Sequence, residues 1–157
     1  MVEYRWRGKD VTVIAMIETF PWIAVVDDEE PIRRSLLRLM RSVGINAQAF
    51  ASGGQFLDFI QACKPKCVVL DLNMPGMTGF EVQDRLVRDA PDIQIIILTA
   101  QDSPQAYGRA MLARPIAYLK KPIDSHCLLG AIDQALKTKL RLPTAGANKT
   151  GRMPGAS

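Results

Sequence analysis

At 157 residues, 48% of them hydrophobic and 23% charged, the chain is long enough to bury one sizeable core and too apolar to be disordered. Its net charge of +4 does not mark a nucleic-acid reader. Residues 22–140 hold 14 Lys and Arg against 13 Asp and Glu, and the tail adds Arg141, Lys149 and Arg152 with no acids. A reader of nucleic acid gathers its cations on a folded face, so no direct nucleic-acid partner is expected.

Residues 1–20 read as an extension. Arg5, Arg7 and Lys9 precede VTVIAMI, which imitates a short secretory signal. Asp10 interrupts the basic stretch, no small-residue cleavage site follows, and the run is far too short to cross a bilayer. The expectation is a cytoplasmic protein with a dispensable extension and no membrane partner, Met16 being an alternative start.

The first strand is predicted over Trp22–Val26. Pro31 suits the first turn of a helix, where its missing N–H costs nothing. Ile32, Leu36, Leu39, Met40 and Val43 then recur at helical spacing up to Gly44, read as a C-cap. A weak strand, Asn46–Phe50, leads to Ser52 as N-cap of a helix running to about Ala62. Cys67–Leu70 is apolar throughout, as a strand with helices on both faces should be. A helix over about Phe80–Arg88, a strand over Ile93–Leu98, and a helix opened by Ser103 and Pro104 and ending near Ala113 follow. Ile116–Leu119 is the fifth strand. Asp124 or Ser125 caps a last helix with Leu128, Leu129, Ile132, Leu136 and Leu140 on its inner stripe. Alternating strands and helices with short joints predict an α/β fold with a parallel sheet. The domain is placed at residues 21–142, and 143–157 is expected to be a flexible tail.

Cys63, Cys67 and Cys127 are odd in number and lack CxxC spacing, so buried inert thiols are expected. His126 has no nearby Cys or His to complete a metal set and is read as structural or solvated.

Four strand ends carry chemistry: Asp27 and Asp28 after the first, Asp71 after the third, Thr99 after the fourth and Lys121 after the fifth. Ligands bind beyond the carboxyl ends of strands in open parallel sheets, so these side chains share one crevice if the first and third strands are neighbours. Crowded carboxylates need a cation, and Mg²⁺ takes oxygen ligands while keeping waters for phosphate oxygens. Asp28 and Asp71 are candidate direct ligands, with Asp27 direct or through water and the Asn73 carbonyl as a further oxygen. The Asp71 carboxylate is then placed to attack phosphorus, with Lys121 and the Thr99 hydroxyl covering the other oxygens. Pro122 is a candidate cis proline that aims Lys121, and Gly76 and Gly79 let the loop after Asp71 bend close. Taken singly each feature has an ordinary explanation. The acidic run can favour a helix dipole, a strand-end Asp can serve a turn, and Thr99 and Lys121 can be a strand-end hydroxyl and a solvated charge. Their joint placement carries the reading.

The motifs VVDDEEPIRRSL, VVLDLNMPGMTGFE, IIILTA and AYLKKPID resemble those of response-regulator receiver domains of bacterial two-component signalling, from about Pro21 to Leu140. The resemblance implies a flavodoxin-like, doubly wound five-stranded parallel sheet in the order 2-1-3-4-5 with five helices. It implies Asp71 as phosphoacceptor from the phosphohistidine of a sensor histidine kinase or phosphotransfer protein, and Asp27 and Asp28 in the Mg²⁺ site. Thr99 is implied as switch hydroxyl, Lys121 as the lysine of the site and Tyr118 as the rotating aromatic. The surface of the fourth helix, fifth strand and fifth helix would then change its preference for a downstream protein, or for a second copy in a phosphorylation-dependent homodimer. Self-phosphorylation and slow self-dephosphorylation are the only chemistry implied. The chain departs from the family at Ala113-Arg114-Pro115, where Ala-Gly-Ala is usual: a glycine free to take positive φ is lost, and Pro115 is expected to hold Arg114 extended. Too few residues follow Leu142 for a DNA-binding module, so a stand-alone receiver is expected. Haloacid-dehalogenase-like phosphatases also use a strand-end Asp, Mg²⁺, Thr or Ser and Lys, but Asp71-Leu72-Asn73 lacks their second acid. A pseudo-receiver should have lost one of the five site residues, and none is lost.

Overall fold

The structure, a computed structural model, describes residues 21–141, with side chains described as far as Lys137. The expected extension (1–20) and flexible tail (143–157) lie outside the described residues, as does the side chain of Leu140.

Five strands, β1 (Ile23–Val26), β2 (Ala47–Phe50), β3 (Cys67–Asp71), β4 (Gln94–Thr99) and β5 (Ala117–Lys120), form one sheet in the order β2-β1-β3-β4-β5 with all four pairings parallel. They alternate with helices α1 (Glu30–Ser42), α2 (Gly53–Phe59), α3 (Gly79–Asp89), α4 (Pro104–Met111) and α5 (Ser125–Arg141). Successive side chains on a strand point to opposite faces, and here both faces are apolar. Ala24, Val26, Val68, Leu70, Ile95 and Ile97 join Trp22, Phe50, Phe56, Phe59, Val82 and Leu86 in one core. Ile23, Val25, Cys67, Val69, Ile96 and Leu98 join Leu36, Met40, Leu128 and Ile132 in the other. This is why the strands read as unbroken apolar runs. Trp22 sets its ring edge against Phe59 at 5.4 Å, and Phe50 lies 5.3 Å from Phe59, closing the first core under β1 and β2.

Ser52 and Ser103 cap as expected, accepting the N–H of Gln55 and Ala106 and opening α2 and α4, and Thr78, not singled out from sequence, accepts the N–H of Glu81 to open α3. Asp124 rather than Ser125 caps α5, its Oδ1 accepting from the N–H of His126 at 2.9 Å and of Cys127 at 3.1 Å. Gly44 follows α1 at φ +79°.

Some expectations are corrected. Helices α2 and α4 stop at Phe59 and Met111, short of Ala62 and Ala113, because the chain tightens into turns three residues apart: Ala62 N–H bonds Phe59 O, and Ala113 N–H bonds Ala110 O. Cys127 is exposed, so only Cys63 and Cys67 are buried thiols; burial pushes the Cys67 thiol up, keeping it protonated. Arg114 is not extended. It stands at φ +53°, because its N–H closes the last turn onto Met111 O while Ile116 N–H already joins Ile95 O, so the chain must reverse within Arg114-Pro115. An arginine thus occupies a conformation glycine takes without steric cost, at roughly 1–2 kcal/mol.

Strands β3 and β4 extend one residue past their expected ends, so Asp71 and Thr99 are the last residues of their strands. The loop after Asp71 folds back hard. Gly76 has φ +74°, and a Cβ on Gly79 would meet Leu72 Cα at 2.6 Å and collide with the Asp71 carbonyl oxygen. That contact is with backbone, which cannot yield as a flexible side chain does. Gly79→Ala is expected to cost about 1–3 kcal/mol in chemical denaturation, whereas Gly54→Ala, with nothing within 4 Å, is expected to be neutral or stabilising.

Candidate functional site

Register brings the acids together. Val26, the last residue of β1, lies beside Leu70, so Asp27 emerges next to Asp71 at the carboxyl edge of the sheet. Asp27, Asp28 and Asp71 each offer a carboxylate oxygen within 4.8 Å of the others, Asp27 and Asp71 being buried and Asp28 exposed. Asp27 is fixed by the Glu29 N–H, which donates to its Oδ1 at 2.9 Å, and by Arg33 Nη1, which donates to its backbone carbonyl at 2.8 Å. Asp71 Oδ1 accepts from the Asn73 N–H at 3.2 Å.

Lys121 enters from the end of β5 across the Lys121-Pro122 bond, which is cis. Its N–H bonds Thr99 O at 2.8 Å. Its side chain is 11% exposed, and its Nζ lies 2.8 Å from Asp27 Oδ2, 3.1 Å from Glu29 Oε1 and 3.7 Å from Asp71 Oδ2. Burial pulls the ammonium down, but the carboxylates of Asp27, Glu29 and Asp71 outweigh it and raise it, so Lys121 is a fixed positive charge. Burial and the charge of Asp27 push the Asp71 carboxyl up to about 7, with Lys121 and the Asn73 N–H pulling the other way and Asp28 adding a smaller push.

This donor set fits a divalent cation. All candidate ligands are oxygens, and the buried Asp27 Oδ2 faces the Lys121 ammonium at 2.8 Å, a charge it shares with Glu29 and Asp71. The Asp71 carboxylate lacks enough positive charge beside it to ionise at its ordinary pH. A small hard cation relieves both conditions.

Thr99, fully buried, donates its hydroxyl to Gln101 O at 2.7 Å and accepts from Gln101 N–H and from Asn73 Nδ2, each at 3.2 Å. Tyr118 packs its ring on the first core but sends its hydroxyl to the surface, where it donates to Asp102 Oδ1 at 3.3 Å. The Tyr107 ring meets it edge-on at 4.9 Å. Burial and the Asp102 carboxylate push the Tyr118 phenol up. Glu29, the Asn73 side-chain amide, Gln101 and Asp102 were not singled out from sequence. Glu29 lay in view in the acidic run; the others bond through loop geometry that spacing does not encode.

The sequence profile of the family described as Response regulator receiver domain matches residues 23–133. Response regulator protein TmoT of Ectopseudomonas mendocina is 36% identical over 116 residues, which are 73% of this chain and 52% of that protein. Nodulation protein W of Bradyrhizobium diazoefficiens is 33% identical over 129 residues, 82% of this chain and 56% of that protein. The chain spans about half the length of these curated relatives. Among solved structures, a response regulator receiver protein from Burkholderia phymatum is 38% identical and superposes with a TM-score of 0.66 over 75% of this chain and 96% of that one. A CheY-like receiver domain from Methanospirillum hungatei JF-1, 24% identical, shares the fold with a TM-score of 0.74 over 78% and 98% of the two chains. Five parallel strands in the order 2-1-3-4-5, the acidic crevice at their carboxyl edge and the profile match agree: the chain belongs to the response regulator receiver domain family, the phosphoacceptor domains of two-component systems, for which phosphorylation and Mg²⁺ binding are characteristic.

Proposed function

We propose that Asp71 accepts a phosphoryl group from the phosphohistidine of a sensor histidine kinase or phosphotransfer protein, and that the surface of α4, β5 and α5 then changes its preference among protein partners. The observation that carries this reading is the placement of Lys121 Nζ 2.8 Å from Asp27 and 3.7 Å from Asp71, inside a crevice with three clustered carboxylates. An Asp71 oxygen attacks phosphorus, the N–P bond to the donor imidazole breaks, and the ring nitrogen leaves with the electron pair. Phosphoryl transfer asks the protein mainly for position and charge. Lys121 supplies a positive charge to a developing phosphoryl oxygen, and the Thr99 hydroxyl a hydrogen bond. Mg²⁺, held by Asp27, Asp28, Asp71 and the Asn73 carbonyl, supplies charge neutralisation when bound. The Thr99 hydroxyl turns towards the phosphoryl oxygens, and Tyr118 rotates inward into the space released. A downstream protein, or a second copy of the chain, reads the altered face. The role proposed here needs a cytoplasmic setting; among the described residues no helix is long and apolar enough to cross a membrane.

Incubated with Mg²⁺ and acetyl phosphate, the protein should gain one phosphoryl group by intact mass spectrometry. Asp71→Asn should gain none, and Lys121→Ala should label roughly 10²-fold more slowly. Labelling of Asp71→Asn at the rate of the unaltered protein sinks the assignment. A second outcome concerns the metal-free fold. Asp71 holds its proton to about pH 7 when folded but releases it near the ordinary value of 3.8 when unfolded. Across that window the unfolded chain binds fewer protons, so stability falls as pH rises. Asp71→Asn escapes this loss. In metal-free buffer its Tm should match that of the unaltered protein at pH 3.5 and exceed it at pH 8 by about 4 °C or more, and saturating Mg²⁺ should narrow the gap. A constant Tm difference from pH 3.5 to pH 8 contradicts the electrostatic account.

A further inference from the structure

Tyr118 is held from three sides. Its ring rests on the first core, the Tyr107 ring closes on it at 4.9 Å and 78°, and its hydroxyl donates to Asp102 Oδ1 at 3.3 Å. The other oxygen of the same carboxylate pairs with Lys120 Nζ at 3.0 Å. Tyr118 and Lys120 stand two apart on β5 and so project to the same side of the sheet, which lets one aspartate reach both.

Asp102 is also tied to the crevice. It sits three residues beyond Thr99, directly after Gln101, and Thr99 Oγ1 grips Gln101 twice, donating to its carbonyl at 2.7 Å and accepting its N–H at 3.2 Å. A hydroxyl has one proton to give and two lone pairs. With Asn73 Nδ2 as a second donor at 3.2 Å, all three are already used. Thr99 therefore cannot bond a phosphoryl oxygen as an addition. It must withdraw its proton from Gln101 O, and the stretch that carries Asp102 then loses the shorter of its two ties to Thr99.

We infer that Asp102 is a positioning residue: a latch that holds Tyr118 in its outward setting and opens when the Thr99 hydroxyl leaves Gln101. The inference rests on the proposed roles of Asp71, Thr99 and Tyr118, and adds to them the restraint on the resting state. A contact made only in the outward state lowers affinity for whatever favours the inward one, by linkage. The contacts are solvent-exposed, so the effect is several-fold rather than orders of magnitude.

The test is a calorimetric titration of the full chain with beryllofluoride in Mg²⁺, beryllofluoride serving as a phosphoryl mimic. Asp102→Ala should bind about three- to tenfold tighter than the unaltered protein. Tyr118→Phe, which lacks the phenol that Asp102 grips, should remove that gain, so that Asp102→Ala adds nothing in its background. Asp102→Asn keeps an oxygen acceptor for the phenol and should stay within about twofold of the unaltered protein, a rescue that a merely structural role would not give. Equal affinity in Asp102→Ala and the unaltered protein overturns the latch alone, as does a gain that persists in full with Phe at 118. Absence of binding by the unaltered protein overturns the phosphoacceptor reading and the latch together.

Discussion

Two buried carboxylates, Asp27 and Asp71, stand beside one largely buried ammonium, and the rest of the site is arranged around that imbalance. Lys121 neutralises one negative charge, yet Asp27, Asp28, Asp71 and Glu29 bring up to four within its neighbourhood. A buried charge left without compensation is expensive, and the raised pKa of Asp71 expresses that cost. The crevice is thus built short of positive charge, a condition suited to a divalent cation and to a phosphoryl group that arrives with one.

The sheet is what makes this crowding possible. Parallel pairing of β1 with β3 sets Asp27 beside Asp71, and pairing of β4 with β5 brings Thr99 opposite Lys120, with Lys121 following. The strands are held by apolar side chains on both faces, so the acids are carried on a platform held together by packing and not by their own contacts. Gly79 fixes the return of the loop by backbone contact with Asp71 and Leu72, and its N–H joins Leu72 O at 3.0 Å. The cost of gathering like charges is therefore borne by packing elsewhere.

Much of this was legible in the sequence, because it is encoded locally. Unbroken runs such as Cys67–Leu70 and Ile95–Leu98 declare strands covered on both faces, Ser52 and Ser103 declare helix starts, and Pro31 and Gly44 bracket the first helix. Strand-end position then gathers Asp27, Asp28, Asp71, Thr99 and Lys121. What escaped depends on bonds between loops. Asn73 reaches Thr99 across 26 residues and Glu29 reaches Lys121 across 92, distances over which no spacing rule operates. Arg114 escaped for a different reason: Pro115 biases its neighbour towards extended backbone, but closure between α4 and β5 overrides a local preference of that size.

The groups proposed to meet a phosphoryl oxygen both have partners at rest. Thr99 spends its proton on Gln101 and its lone pairs on Gln101 and Asn73. Lys121 has three N–H donors and three carboxylates within reach. Thr99 cannot welcome a new oxygen without releasing an old one, and the charge of Lys121 is already divided among three carboxylates, so the proposed phosphorylation at Asp71 would act by exchange. The two exchanges differ in cost. Glu29 is 58% exposed, and water replaces the ammonium it gives up at little penalty, whereas Asp27 and Asp71 are buried and cannot be released so cheaply. Lys121 can thus turn to a phosphoryl oxygen by letting Glu29 go, with no wider movement. Thr99 has no exposed partner of that kind. Its proton is bound to the backbone of the segment that carries Asp102, so its exchange is the one that must move the chain.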